Sequence, residues 1–146
     1  MIFASTQLEG AFLIDIKPIK DQHGFFARTW CRQEGRRALI PRSPSGAFHM
    51  IGIAEQDAAF ISSDRYEETK IVRCVRGATF DVMVDLRPHS SSYLRWQGFD
   101  LTAENRRAVY IPKGFAHDYQ TLSEHWRSLI RCRQFMRRRL QWLFNL

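Results

Sequence analysis

Residues 71–122 alternate short apolar-rich runs with turn residues, and that rhythm narrows the fold more than any other feature of the chain. Ile71–Arg76 is followed by Gly77 and then ATFDVMVDL, in which Phe80, Val82, Val84 and Leu86 alternate with Thr79, Asp81, Met83 and Asp85. A period of two sends successive side chains to opposite faces, so this run predicts a strand with one buried face. SYLRWQGFDLT, the AENRR turn, AVYIP, a Pro-Lys-Gly turn and FAHDYQTL repeat the arrangement. Upstream, AFLIDIK and GFFARTW read as two further strands, and CRQEGRRAL as a short helix weakened by Gly35. Many short strands separated by turns point to an all-β antiparallel sandwich or jelly roll. In the last of these strands Phe115, His117, Tyr119 and Thr121 share one face, and Ala116, Asp118, Gln120 and Leu122 the other. An imidazole between aromatic neighbours, just past a P-x-G turn at a barrel mouth, suits a ligand wall. The same pattern also suits a hydrogen-bonded core histidine.

The 146 residues are expected to form a single domain, 1–146, long enough to enclose an interior pocket. No apolar run approaches the ~18 residues of a membrane span. The start has no basic leader and already carries Glu9 and Asp15, so the expectation is a soluble, cytoplasmic protein without a membrane partner. Cys31, Cys74 and Cys132 are odd in number and widely spaced, which argues against a disulfide framework and a zinc site. The formal charge of +7 is local: residues 126–146 hold six arginines and no acid, leaving +1 for the rest. This basic segment reads as a short helical or irregular tail, with Trp126, Leu129, Ile130, Met136 and Leu140 at rough helical spacing. A polyanion is one target for such a segment. No RNA-binding signature, helix-turn-helix pattern or zinc-finger spacing accompanies it, so nucleic acid is not expected as a partner.

Four motifs occurring together carry a resemblance: K-I-V-R-x-x-x-G (Lys70–Gly77), D-V-x-V-D-L-R (Asp81–Arg87), A-E-N-R (Ala103–Arg106) and I-P-x-G-F-A-H (Ile111–His117), with DQHGFFARTW near the start. The chain resembles the dTDP-4-dehydrorhamnose 3,5-epimerase family of cupin jelly rolls, over about Thr6–Trp30 and Glu67–Ser123. The resemblance implies a double-stranded β-barrel that forms a homodimer. It implies binding of a nucleotide-linked 4-keto-6-deoxyhexose and inversion of the two carbons beside the ketone, without metal or organic cofactor. Lys70 and His117 match substrate contacts of the family, Gln56 the start of its glutamine-containing strand, and His23 and Arg28 the positions of an arginine and a glutamate. The segment that carries the family's base reads QDAAFISSDRYEETK here, Ile130 stands where the resemblance places the tyrosine acid, and QWLFNL replaces the terminal W-N-D-P region. The reactive residues are therefore unassigned by sequence, with His117 or His23 as substitute base and Tyr119 or Tyr66 as substitute acid. The alternative expectation is a catalytically silent nucleotide-sugar-binding relative.

Overall fold

The computed structural model describes residues 1–38, 40, 48–53, 59–61 and 69–132, with residues 48–53 and 59–61 given for their strand pairing. Among them are twelve strands and one short helix. In chain order these are β1 (Ile2–Ser5), β2 (Phe12–Asp15), β3 (Ile19–Asp21), β4 (Gly24–Phe26), α1 (Arg32–Arg37), β5 (Phe48–Ile53), β6 (Ala59–Ile61), β7 (Lys70–Arg76), β8 (Ala78–Asp85), β9 (Trp96–Thr102), β10 (Ala108–Ile111), β11 (Phe115–Thr121) and β12 (His125–Cys132). A six-stranded sheet runs β1-β2-β10-β7-β12-β5 and a four-stranded sheet β6-β11-β8-β9, with β3-β4 a separate hairpin. The neighbouring strands pair antiparallel. This is the all-β, two-sheet architecture that the alternation predicts.

Strand β7 has no solvent face along its first five residues, Lys70–Cys74. Its even positions, Val72 and Cys74, join Val109, Ile111 and Ile130 of the same sheet and Met83, Leu101 and Phe115 of the facing sheet in one apolar cluster between the sheets. Its odd position Ile71 joins Ile14, Ala108 and Tyr110 on the opposite face, where Ile40 and Trp30 cover them. A strand buried on both faces shows no alternation of polarity, so KIVRCV could not announce which side was inside. Gly35, costly to a helix by propensity, is buried in α1 against Trp30; a Cβ there would come 2.8 Å from the indole. The residue that weakens the helix is the one that lets it pack.

Two sequence readings need correction here. Residues Trp126–Cys132 are not helical: they belong to β12, inserted between β7 and β5, with a register shift at Arg127/Ser128. Pairing on both edges overrides the weak helical spacing. The remainder of the basic segment, 133–146, lies outside the described residues. In addition, the run read as starting at Ser92 enters β9 only at Trp96, because Ser90–Arg95 is turned by backbone hydrogen bonds from Tyr93 to Ser90 and from Arg95 to Ser92.

The Pro-Lys-Gly turn behaves as its composition implies. Gly114 adopts φ +80, and an added Cβ would lie 2.5 Å from Cγ of Arg87. We therefore expect Gly114→Ala to cost about 1–2 kcal/mol from the left-handed backbone alone, measured as a shifted denaturant midpoint with an unchanged slope.

Candidate functional site

In β8 the polar side chains face inward. Thr79, Asp81, Met83 and Asp85 are buried, while Phe80, Val82 and Val84 are only half-buried and Leu86 is exposed. Alternation established two faces; the apolar one is not the inner one. A buried carboxylate is tolerable only when charges or hydrogen bonds compensate its lost hydration, and both aspartates have such partners.

Asp85 serves structure. It is fully buried, accepts from Nε and the backbone N–H of Arg87, and ion-pairs with Arg87 Nη2 at 2.7 Å. The hydroxyls of Ser90 and Ser92 also donate to it, at 2.5 and 2.6 Å. Burial alone would raise its pKa, but the Arg87, Ser90 and Ser92 hydrogen bonds outweigh it and hold the carboxyl far below the usual range. Arg87 in turn donates to the Glu9 carbonyl and lies over the Phe115 ring at 4.8 Å. One carboxylate thus ties the end of β8 to the N-terminal loop and to the start of β11.

Asp81 serves a different group. On the neighbouring strand His117 is opposite Met83 and Tyr119 opposite Asp81, so His117 and Asp81 are diagonal neighbours on the inner face. Imidazole Nε2 lies 2.8 Å from Asp81 Oδ2, with His117 only 2% exposed and Asp81 0%. Nδ1 of His117 and Oδ1 of Asp81 are buried with no hydrogen-bond partner. Burial raises the Asp81 carboxyl above its ordinary value, and His117, then Lys70, offset only part of that rise. Lys70, 5% exposed, shares the inner side of β7 with Val72 and Cys74, and its charge acts on Asp81 from the facing sheet. Tyr119 completes the polar face, its ring 5.2 Å from that of Trp126 on β12.

This arrangement has a chemical meaning. A carboxylate on one ring nitrogen fixes the imidazole's tautomer and orientation and leaves the other nitrogen to exchange a proton with something else. An unsatisfied buried ring nitrogen costs about 1–3 kcal/mol, so Nδ1 is where a polar partner would be favoured. Burial first, then Asp118 and Asp81, push the Tyr119 phenol up to about 12. It remains protonated across the physiological range and so keeps a proton to donate. A spectrophotometric titration should show Tyr119 still neutral at pH 11, and Tyr119→Phe should remove a phenol transition near pH 12.

The residues singled out from sequence do not all meet. Lys70 and His117 converge on Asp81 across the two sheets. His23 occupies the β3–β4 turn, is exposed, and makes its contacts with Gln22 and Asp21. Arg28 is exposed and ion-paired with Glu34 at 2.8 Å. None of these contacts reaches the Lys70–Asp81–His117 group. Gln56 and Tyr66 lie outside the described residues. Ile130 is buried in the apolar cluster opposite Val72, with no proton to give. Sequence reasoning passed over Asp81, although an acid at every fourth position of an alternating strand was the available signal. Among the described residues no group of three or more His, Cys, Asp or Glu side chains is placed to hold a metal ion, and no helix is long and apolar enough to cross a membrane.

The family model for dTDP-4-dehydrorhamnose 3,5-epimerase matches residues 5–143. The chain belongs to the dTDP-4-dehydrorhamnose 3,5-epimerase family. It is 51% identical over 133 residues to the dTDP-4-dehydrorhamnose 3,5-epimerase of Escherichia coli K12, across 82% of this chain and 65% of that protein. It spans only about two thirds of the length of such curated relatives. The crystal structure of the epimerase from Elizabethkingia anophelis superimposes with a TM-score of 0.86 over 94% of this chain and 76% of that one, at 24% identity, which establishes the shared fold. A dTDP-6-deoxy-D-glucose-3,5-epimerase from Legionella pneumophila, crystallised with dTDP-4-keto-L-rhamnose, gives a TM-score of 0.79 over 92% and 72% of the two chains, at 26% identity. The dTDP-4-dehydrorhamnose 3,5-epimerase family is a family of isomerases, and the four motifs quoted above fall in β7, β8, the β9–β10 turn and the β10–β11 corner of its fold.

Proposed function

We propose that this chain acts on a nucleotide-linked 4-keto-6-deoxyhexose of the dTDP-4-dehydro-6-deoxy-D-glucose type, inverting C3 and C5 by proton removal and return. The reading places it in cytoplasmic synthesis of dTDP-rhamnose or a related surface-polysaccharide sugar. The observation that carries it is the buried His117–Asp81 pair beside Lys70 on the inner wall. Hydrogens on carbons flanking a ketone are acidic enough for a positioned imidazole to remove, provided the enolate oxygen is stabilised as charge develops. In this reading His117 Nδ1 takes the proton, Asp81 holds the ring and offsets the imidazolium charge, and the Lys70 ammonium stabilises the enolate oxygen. Tyr119, kept protonated, is the candidate donor; inversion requires the reacting carbon to sit between its hydroxyl and His117 Nδ1, so that the proton returns to the face opposite the one it left. The chemistry is proton transfer throughout and calls for no redox cofactor. The relative bound to dTDP-4-keto-L-rhamnose supports the substrate class.

A homodimer is part of the reading. Ile19, Phe25 and Phe26 of the β3–β4 hairpin are exposed, and an isolated two-stranded hairpin is marginal by itself. A second copy covering it would bring His23 and Arg28 to a neighbour's ligand.

The test is incorporation of solvent deuterium into the sugar, followed by NMR or mass spectrometry. Label at C3 and C5 supports the isomerase. One observation favours a second reading, a silent nucleotide-sugar binder: Ile130 fills the resemblance's acid position and is packed in aliphatics. Measurable nucleotide binding with no label at either carbon would select that reading.

A further inference from the structure

The outer face of the six-stranded sheet carries a concentration of positive charge, on the far side of β7 from Lys70. Arg73 is 7% exposed, and its Nη2 is buried without a hydrogen-bond partner. Register sets Leu129 opposite Arg73 and Arg131 opposite Ile71, so the two arginines are diagonal neighbours. Arg73, Arg131 and Thr29 line a recess of about 10 Å³. On its other side Arg73, again with Thr29, lines a cleft of about 200 Å³ walled by Phe25 and Arg106, whose guanidinium lies 4.5 Å over the Phe25 ring. Among the described residues no carboxylate lines either space. Burial, and after it the charge of Arg131, push the Arg73 guanidinium below its ordinary value. A buried cation facing a like charge and lacking an acceptor is a costly arrangement unless an anion completes it.

We propose that Arg73, flanked by Arg106 and Arg131, binds a phosphate-class oxyanion on this outer face, separate from the nucleotide-sugar site. Guanidinium groups offer planar, paired donors that match tetrahedral oxyanions, and the Thr29 hydroxyl adds a further donor. The cleft falls below the roughly 300–1,000 Å³ of pockets that enclose drug-sized ligands. That favours a small anion, or a terminal phosphate whose remainder stays in solvent.

Calorimetric titration of the full chain with inorganic phosphate and with thymidine diphosphate tests this. Phosphate is expected to bind and to raise the melting temperature, and Arg131→Gln to weaken it about ten-fold while leaving deuterium incorporation into the sugar unchanged. Arg73→Gln is expected to abolish phosphate binding; Arg131→Gln keeps the test available if that variant does not fold. Independent binding of phosphate and thymidine diphosphate assigns the site to the free ion. Thymidine diphosphate displaced by phosphate and weakened by Arg131→Gln assigns it to a nucleotide phosphate. His117→Asn should leave phosphate binding untouched, so failure at one site is separable from failure at the other. The proposal is overturned if neither ligand shifts melting or heat, if Arg131→Gln binds phosphate as tightly as the parent, or if that variant instead splits a dimer, which would assign the arginines to a partner's carboxylate.

Discussion

His117→Asn is expected to lower deuterium incorporation at C3 and C5 by ~10²–10⁴-fold, the range associated with loss of a positioned acid or base. Nucleotide affinity should change far less, because asparagine preserves a polar contact but cannot carry the proton. Asp81→Asn separates orientation from proton transfer. It keeps the side chain's shape beside Nε2 but removes the charge that fixes the tautomer and offsets the imidazolium. It should therefore slow exchange while retaining bound ligand, and shift the pH dependence of the rate. Equal exchange in parent and His117→Asn would remove His117 from the reaction and return it to the contact role that the family resemblance implied.

Asp85→Ala should be the most damaging change outside that group. It leaves Arg87, Ser90 and Ser92 without their shared acceptor and frees the loop after β8. The expected cost is about 3 kcal/mol, the low end for a broken buried pair because Arg87 keeps some access to water. That corresponds to a fall in melting temperature of roughly 6–12 °C for a chain of this size. The pH dependence follows from the depressed folded-state pKa. The carboxylate's contribution is fully present above the unfolded value, near pH 4, and is lost as pH falls through the folded one. The parent should lose stability as pH drops below about 4, and Asp85→Ala should show a shallower decline over the same window. Parallel acid-unfolding curves would mean that Asp85 is not ionised in the clasp.

Much of the architecture was legible before coordinates. Alternation located β8 and β11, short apolar runs bounded by turn residues located β7 and β10, the P-K-G turn located the corner before His117, and Phe115, His117 and Tyr119 do share the inner face of β11. Strands β1, β3, β5 and β6 carry too few residues or too little alternation to stand out. Asp81 escaped notice because an aspartate on an alternating strand ordinarily marks the solvent side; here the neighbouring strand supplies His117 and the facing sheet Lys70.

Residue order by itself determined the local geometry: which side chains share a face, where the chain reverses, and that an imidazole follows a left-handed glycine. Only the tertiary structure decided which face was enclosed, that β12 rather than a helix lies beside β7, and that two like-charged arginines meet on the outer surface. The reason is physical. Period-two backbone geometry is symmetric between its faces, and the choice between them is made by what packing brings against each one: here an adjoining strand's imidazole and a loop's arginine and hydroxyls compensate the buried charge.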